Sequence, residues 1–312
     1  MLLRSHSTFE IVTNENFNDA RYLSANPDVK KAGVSAWLHF DKVGRYEKRR
    51  QFASDTRDHR EKYRRFRHTL ASPYGDELVR EFPIFTGSEH YSTESYTTQS
   101  ANPTHYMFER EILLNTDKIF LDIGCGIRER TFDNCLYLEV YESNSADLVV
   151  DPSCVYPFKD SVFDGIGCFA VLEHTRKPWV VASEMYRILK PGGKIYVDWP
   201  FLQPVHGYPS HYFNATREGL RTILEDIGFE INLCETQENQ TVSYTISWIL
   251  SEFVCQLKND DLRADFEAMT IKDIISWNPS DERWLKFVRE LDDTAIEELA
   301  CGNFVLAGKP LK

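Results

Sequence analysis

From 118 to 230 the chain alternates short apolar runs with amphipathic ones, and no other feature restricts its fold so much. "KIFLDIG", "CLYLEVY", "DLVVD", "VFDGIGCFAVLEH" and "KIYVDWP" read as strands. Between the last two, "PWVVASEMYRILK" sets Val181, Met185, Ile188 and Leu189 on one helical face, with Pro178 near its start and "PGG" at 191–193 as its stop. "TREGLRTILEDIGF" follows as a helix with Leu220, Ile223, Leu224 and Ile227 inward and Gly228 at its end. Strands alternating with helices predict an α/β, doubly wound and mostly parallel sheet.

The flanks are less regular. Residues 1–50 read as a small helical module, in which Ser35 caps a short helix carrying Trp37, Leu38 and Phe40, and Gly44 ends it. The module is too short for a robust core of its own and should dock on something. Residues 51–105 read as a basic linker and a Ser/Thr-rich loop. A third unit, 106–312, holds the sheet and a helical insertion at about 240–299, opened by "YTISWILSEFVCQL" and otherwise polar.

Charge and cysteines exclude several classes. A formal net charge of −12 argues against nucleic-acid partners, which need a basic face. Seven cysteines without a CxxC spacing fit reduced thiols rather than a disulfide frame. With no signal-like or membrane-spanning apolar run, the expected place is the cytoplasm. Basic residues crowd 42–68, interrupted by Asp55, Asp58 and Glu61. They read either as an ion-paired helical linker or as a surface for an anionic glycan, lipid headgroup or phosphate at the inner membrane.

"FLDIGCG" ends the first strand in a turn of the kind that cradles an anion. Glycine lets the backbone approach closely, and a following helix N-terminus supplies free N–H groups. Glu139 ends the second strand near the roughly 20-residue spacing of an acid that grips ribose hydroxyls. Asp151 ends the third strand, where a second carboxylate can meet an adenine edge.

Taken together, "FLDIGCG … YLE … LVVD … PFKDSVFDGIGCFAVLEH … EMYRILKPGGKIYVDWP" resembles the class I S-adenosylmethionine (SAM)-dependent methyltransferases of the broad "LEH … LKPGG" subgroup. The resemblance spans roughly 118–230 and the last strand. It implies a Rossmann-like seven-stranded sheet with a reversed final strand, "CGNFVLAGKP", paired with "FEINLCE". It also implies SAM as cofactor and S-adenosylhomocysteine as product. Asp122, Gly124, Cys125 and Gly126 match the motif that holds the amino-acid end of SAM. Glu139 matches the ribose acid, with Glu142 in reserve, and Asp151 the adenine acid. Cys168, Phe169 and Ala170 match the stretch lining the methyl donor, and Glu173 and His174 match "LEH". The family's third glycine is replaced by Arg128, and the segment from Gly126 to the second strand is short enough to trim the first helix.

Methyl transfer to oxygen needs a base for the acceptor's proton. "DWPFLQPVHGYPSHYFNATREGL" supplies His206, His211, Tyr208 and Tyr212 beyond the fifth strand, with His206 and His211 the candidate bases. The same two histidines could pair on a metal, but no third ligand stands out, so no metal is expected. "ARYLSANPDVKKAGVSAWLHFDKVGRYEKRR" resembles a short module that accompanies bacterial glycosyltransferases and surface-polysaccharide enzymes. That association favours O-methylation of a sugar hydroxyl on a bacterial glycan or glycolipid. The alternatives are a small metabolite or lipid acceptor, and a non-catalytic SAM-binding or interaction protein.

Overall fold

The computed structural model describes residues 3–76, 78, 81–87, 104–152, 155–206, 211–303 and 308–309. In chain order its strands are β1 (Ser5–Ser7), β2 (Phe9–Ile11), β3 (Arg50–Phe52), β4 (Ile84–Phe85), β5 (Phe120–Ile123), β6 (Arg130–Phe132), β7 (Cys135–Glu139), β8 (Leu148–Val149), β9 (Phe163–Phe169) and β10 (Leu189–Asp198). Its helices are α1 (Asp19–Ala25), α2 (Pro27–Lys31), α3 (Ala36–His39), α4 (His59–Phe66), α5 (Tyr106–Leu114), α6 (Pro178–Ile188), α7 (Arg217–Ile227), α8 (Val242–Gln256), α9 (Asp260–Glu267), α10 (Ile271–Ser276), α11 (Glu282–Val288) and α12 (Asp293–Leu299).

The central sheet has six described strands in the order β10-β9-β5-β7-β8-β4, and every neighbouring pair is parallel. Its residues alternate between two cores, as a sheet buried on both faces requires. Leu121, Ile123, Leu136, Leu138, Ile166 and Cys168 pack with α4, α6 and α7 through Tyr63, Phe66, Met185, Ile188 and Leu224. Phe120, Cys135, Tyr137 and Phe169 face the other way, onto Phe108 and Ile112 of α5. Gly167 lies on that second face, where a Cβ would come within 2.7 Å of the Phe108 ring.

Three expectations change. Among the described residues the sheet has six strands where seven were expected: "FEINLCE" carries no strand, and residues 304–307 of the expected last strand lie outside the described residues. Residues 51–105 are more than a linker, because α4 packs on the sheet and β4 joins its edge. "PGG" does not close the turn after α6 but forms the irregularity of β10, whose register shifts between Leu189 and Lys194.

The basic stretch is largely committed to partners. Lys62 Nζ lies 2.6 Å from Asp147 Oδ2 in a buried pair. Arg57 donates to Asp55 and to the carbonyls of Asn144 and Ser145. Exposed Arg60 meets Glu81, a kind of pair worth little to stability.

The N-terminal module closes its own small core around Val12, Tyr22, Val29, Ala36 and Phe40, with β2 paired antiparallel to β3. Ser35 caps α3 by accepting from the Leu38 N–H. Gly44 lets the chain pass close over Tyr22: a Cβ there would sit 2.2 Å from the Tyr22 hydroxyl and displace it. The module docks through β1, which pairs antiparallel with β6. His6 Nε2 reaches Asp133 at 2.9 Å, and Arg50 reaches Glu129 at 2.8 Å. At the other end α8–α12 surround Leu257, Phe266 and Phe287. None of the helices among the described residues is long and apolar enough to cross a membrane.

Candidate functional site

The main cleft, about 2300 Å³ in volume, opens at the carboxyl ends of β5, β7, β9 and β10. Parallel sheets present ligands there because turns and side chains converge beyond the strand ends. Gly124, Glu139, Asp151, Phe169, Ala170, His174, Asp198, His206 and Tyr212 line it, together with the aromatic Phe201, Tyr244 and Trp248.

The turn after β5 has the expected backbone but not the expected continuation. Gly124 and Gly126 take φ of +63° and +53°, a region that favours glycine. A Cβ on Gly124 would lie 2.3 Å from Val171 Cγ2, so the close approach of the two loops needs glycine there. The trimmed first helix is absent altogether, and β6 stands in its place. No helix N-terminus therefore supplies donors. The turn's own amides are also engaged: Cys125 N–H donates to Leu138 O, Gly126 N–H to Glu139 Oε1, and Arg128 N–H to Ser145 Oγ.

Arg128 explains why. Its side chain turns inward and is fully buried. Nε donates to Asp122 Oδ2 at 2.7 Å and Nη2 to Asp122 Oδ1 at 2.9 Å. Burial opposes the guanidinium's charge, but the Asp122 carboxylate outweighs it and the Arg128 pKa is raised. Asp122 is thus part of an internal ion pair, and it does not line the cleft. Cys125, Gly126 and Cys168 are likewise off the cleft wall, and burial pushes both thiols well up.

Glu139 ends β7 and lines the cleft. Its carboxylate accepts from Gly126 N–H at 2.9 Å and from Val140 N–H at 2.6 Å. Burial nevertheless raises its pKa from 4.5 to about 7, against those two donors. Each carboxylate oxygen keeps a second lone pair for a ligand hydroxyl. Asp151 lies at the same end, with Gly87 packed against it.

At the other end three imidazoles meet edge to face, with ring centroids 4.5 Å apart for His206 and His211, 5.1 Å for His174 and His206, and 5.4 Å for His174 and His211. Burial lowers the His206 pKa, which keeps the ring neutral. His211 does not line the cleft; its Nε2 bonds Asn214 Oδ1 at 2.7 Å, and its Nδ1 accepts from the His206 N–H at 3.2 Å. Tyr212 donates its N–H to the Glu173 carbonyl, at 2.6 Å. The Glu173 carboxyl is buried behind this wall, and burial raises its pKa from 4.5 to about 8. Tyr208 lies outside the described residues.

Asp198 escaped the sequence reading. It ends β10 on the cleft wall, accepts from Asn239 and Gln240, and so ties the segment leading into α8 to the sheet. The signal was its place at a strand's carboxyl end in "YVDWP".

Residues 121–197 match the family model described as a methyltransferase domain. The matched segment runs from β5 through β10 and contains the turn, Glu139, Asp151 and the Glu173–His174 pair. With the parallel sheet, the match makes this an α/β, Rossmann-like methyltransferase fold, and it supports SAM as cofactor of the methyltransferase domain. A Bacillus halodurans protein described as a candidate methyltransferase aligns at 19% identity over 37% of this chain and 64% of its own, with a TM-score of 0.30. Phosphoethanolamine N-methyltransferase 2 of Haemonchus contortus, solved with S-adenosyl-L-methionine, aligns at 15% identity over 63% of this chain and 50% of its own, with a TM-score of 0.35. The chain thus spans less than two thirds of either protein. No curated protein matches the chain.

Proposed function

We propose that the protein transfers a methyl group from SAM to a sugar hydroxyl of a bacterial glycan or glycolipid. The observation that carries this reading is the cleft itself: one continuous space joins Gly124, Glu139 and Asp151 to the wall of His174, His206 and Tyr212. At about 2300 Å³ it far exceeds the roughly 300–1,000 Å³ of a small-molecule pocket, so a cofactor and a sizeable acceptor fit together. SAM supplies an electrophilic methyl group on a positively charged sulfur.

The chain's own residues do the rest. Glu139 accepts the ribose hydroxyls, Asp151 meets the adenine edge, and Phe169–Ala170 line the donor's sulfur end. His206, neutral because it is buried, takes the acceptor's proton. Tyr212 flanks the acceptor oxygen, and His211 holds the His206 loop. Phe201, Tyr244 and Trp248 offer flat faces to a sugar ring. The resemblance of the N-terminal module to companions of glycosyltransferases supports the choice of acceptor. A contact between the 42–68 stretch and an anionic glycan or headgroup belongs to the same proposal. Neutralising Arg60, Arg64 and Arg67 together should weaken that contact in a salt-dependent way.

Calorimetric titration with S-adenosylhomocysteine tests the cofactor. Release of that product during incubation with SAM and either oligosaccharides and sugar nucleotides or aromatic metabolites and lipids tests the acceptor. Product with only the second group overturns the glycan reading; cofactor binding without any product supports a non-catalytic role.

A further inference from the structure

The histidine wall holds more than a base. Glu173, His174 and His206 each offer one ligand atom, and these atoms all lie within 4.8 Å of one another. Two imidazoles and one carboxylate, with a fourth position left open, are the donor set of catalytic zinc sites. The short turn after β9 supplies two of the three donors, Glu173 and His174, and the loop beyond β10 supplies His206 in place of the His206/His211 pairing read along the chain.

A separate observation points the same way. The Glu173 side chain is completely buried, and neither carboxylate oxygen has a hydrogen-bond partner among the described residues. Burying a carboxyl without partners is costly, and each such group in a folded protein calls for a reason. Oε1 faces His174 Nε2 at 3.9 Å, too far for a hydrogen bond but suited to two ligands sharing one ion.

The orientation of His206 fits too. Its Nδ1 lies 3.1 Å from the Pro204 carbonyl, which can only accept, so Nδ1 carries the proton and Nε2 presents its lone pair. A backbone carbonyl behind the ring is the usual support of a metal-bound histidine. His211 is no ligand, because both of its nitrogens are engaged.

We propose that Glu173, His174 and His206 bind one zinc ion on the cleft wall, with its open position facing the acceptor. A tetrahedral site with bonds of about 2.1 Å has edges of about 3.4 Å, so the three donors draw together by roughly an ångström on binding. The role of the ion rests on the methyl-transfer reading. A hydroxyl at the open position releases its proton to solvent water near neutral pH, as zinc-bound water does. A zinc-bound nitrogen cannot also accept that proton, so His206 is the base only in the metal-free protein; with zinc bound it serves as ligand and the ion becomes the agent of proton loss.

The test uses the full chain, stripped of metal by a chelator and titrated calorimetrically with zinc chloride. One equivalent should bind, and His174→Ala, His206→Ala and Glu173→Gln should each weaken binding by about 100-fold or more, while melting cooperatively like the parent. No stoichiometric zinc, or affinity unchanged in all three variants, overturns the site. S-adenosylhomocysteine is titrated in parallel. Zinc binding without it overturns the methyltransferase reading and leaves the site; the reverse result overturns the site alone.

Discussion

Arg128 and Asp122 form a two-pronged ion pair beneath the cofactor turn, at 2.7 and 2.9 Å, with no part of either side chain in the cleft. The pair occupies the position where the methyltransferase pattern has a third glycine and a helix. Cutting Arg128 to Ala strands a buried carboxylate, which should cost about 3–5 kcal/mol of stability in urea unfolding. The double variant Asp122→Asn, Arg128→Met should lose clearly less than Arg128→Ala, because no lone charge remains. Equal losses would contradict the ion-pair account.

Glu139 should make cofactor affinity pH-dependent. Its pKa in the cofactor-free protein is raised to about 7, and ribose hydroxyls donate best to the ionised form. S-adenosylhomocysteine should therefore bind about tenfold more weakly at pH 6 than at pH 8. Glu139→Gln should bind weakly at both, with the difference gone. The same shift bears on folding. The folded protein holds this proton more tightly than the unfolded chain, so the group's contribution is fully present below about pH 4.5 and is lost by about pH 7, an effect of about 3 kcal/mol.

Gly124→Ala should nearly abolish cofactor binding. The new methyl group meets Val171 at 2.3 Å on a backbone of φ +63°, a strain of about 1–3 kcal/mol before the clash is counted. Adding Val171→Ala removes the contacts at 2.3 and 3.0 Å but leaves the residue's Cβ at 3.2 Å and the strain in place. The double variant should regain part of the binding, read by calorimetry against the single change.

The module's grip on the turn can be read by hydrogen exchange. Removing residues 1–8 takes β1 away, and Arg130–Phe132 lose the strand they pair with. The amides of Thr131, opposite His6, and of Asp133, which donates to the Arg4 carbonyl, should exchange faster, while those of β5, β7 and β9 keep their protection. Unchanged exchange at β6 would mean that the docking does not hold it.

The repeating strands were legible because a sheet buried on both faces leaves continuous apolar runs, as in Leu136–Leu138 and Ile166–Cys168. Glu139 and Asp151 were legible because strand ends converge on the cleft. Arg128 was not, because its meaning depends on where its long side chain points, and inward burial of an arginine has no periodic signature. Glu173 with His206 was not, because the two belong to separate loops brought together only by β9 and β10 lying side by side. The docking of Ser5–Ser7 was hidden for a similar reason: three residues give too little pattern to announce a strand.

That last pairing governs the order of events during synthesis. His6 finds Asp133 across a separation of 127 residues, so β1 leaves the ribosome long before its partner exists. Closing so long a loop is slow compared with forming local contacts. The small core around Tyr22 and Phe40 uses only nearby residues and can form early, while its leading strand waits. A stretch made before β6 is thus placed only after it, and the nascent chain carries an open strand edge until β6 arrives.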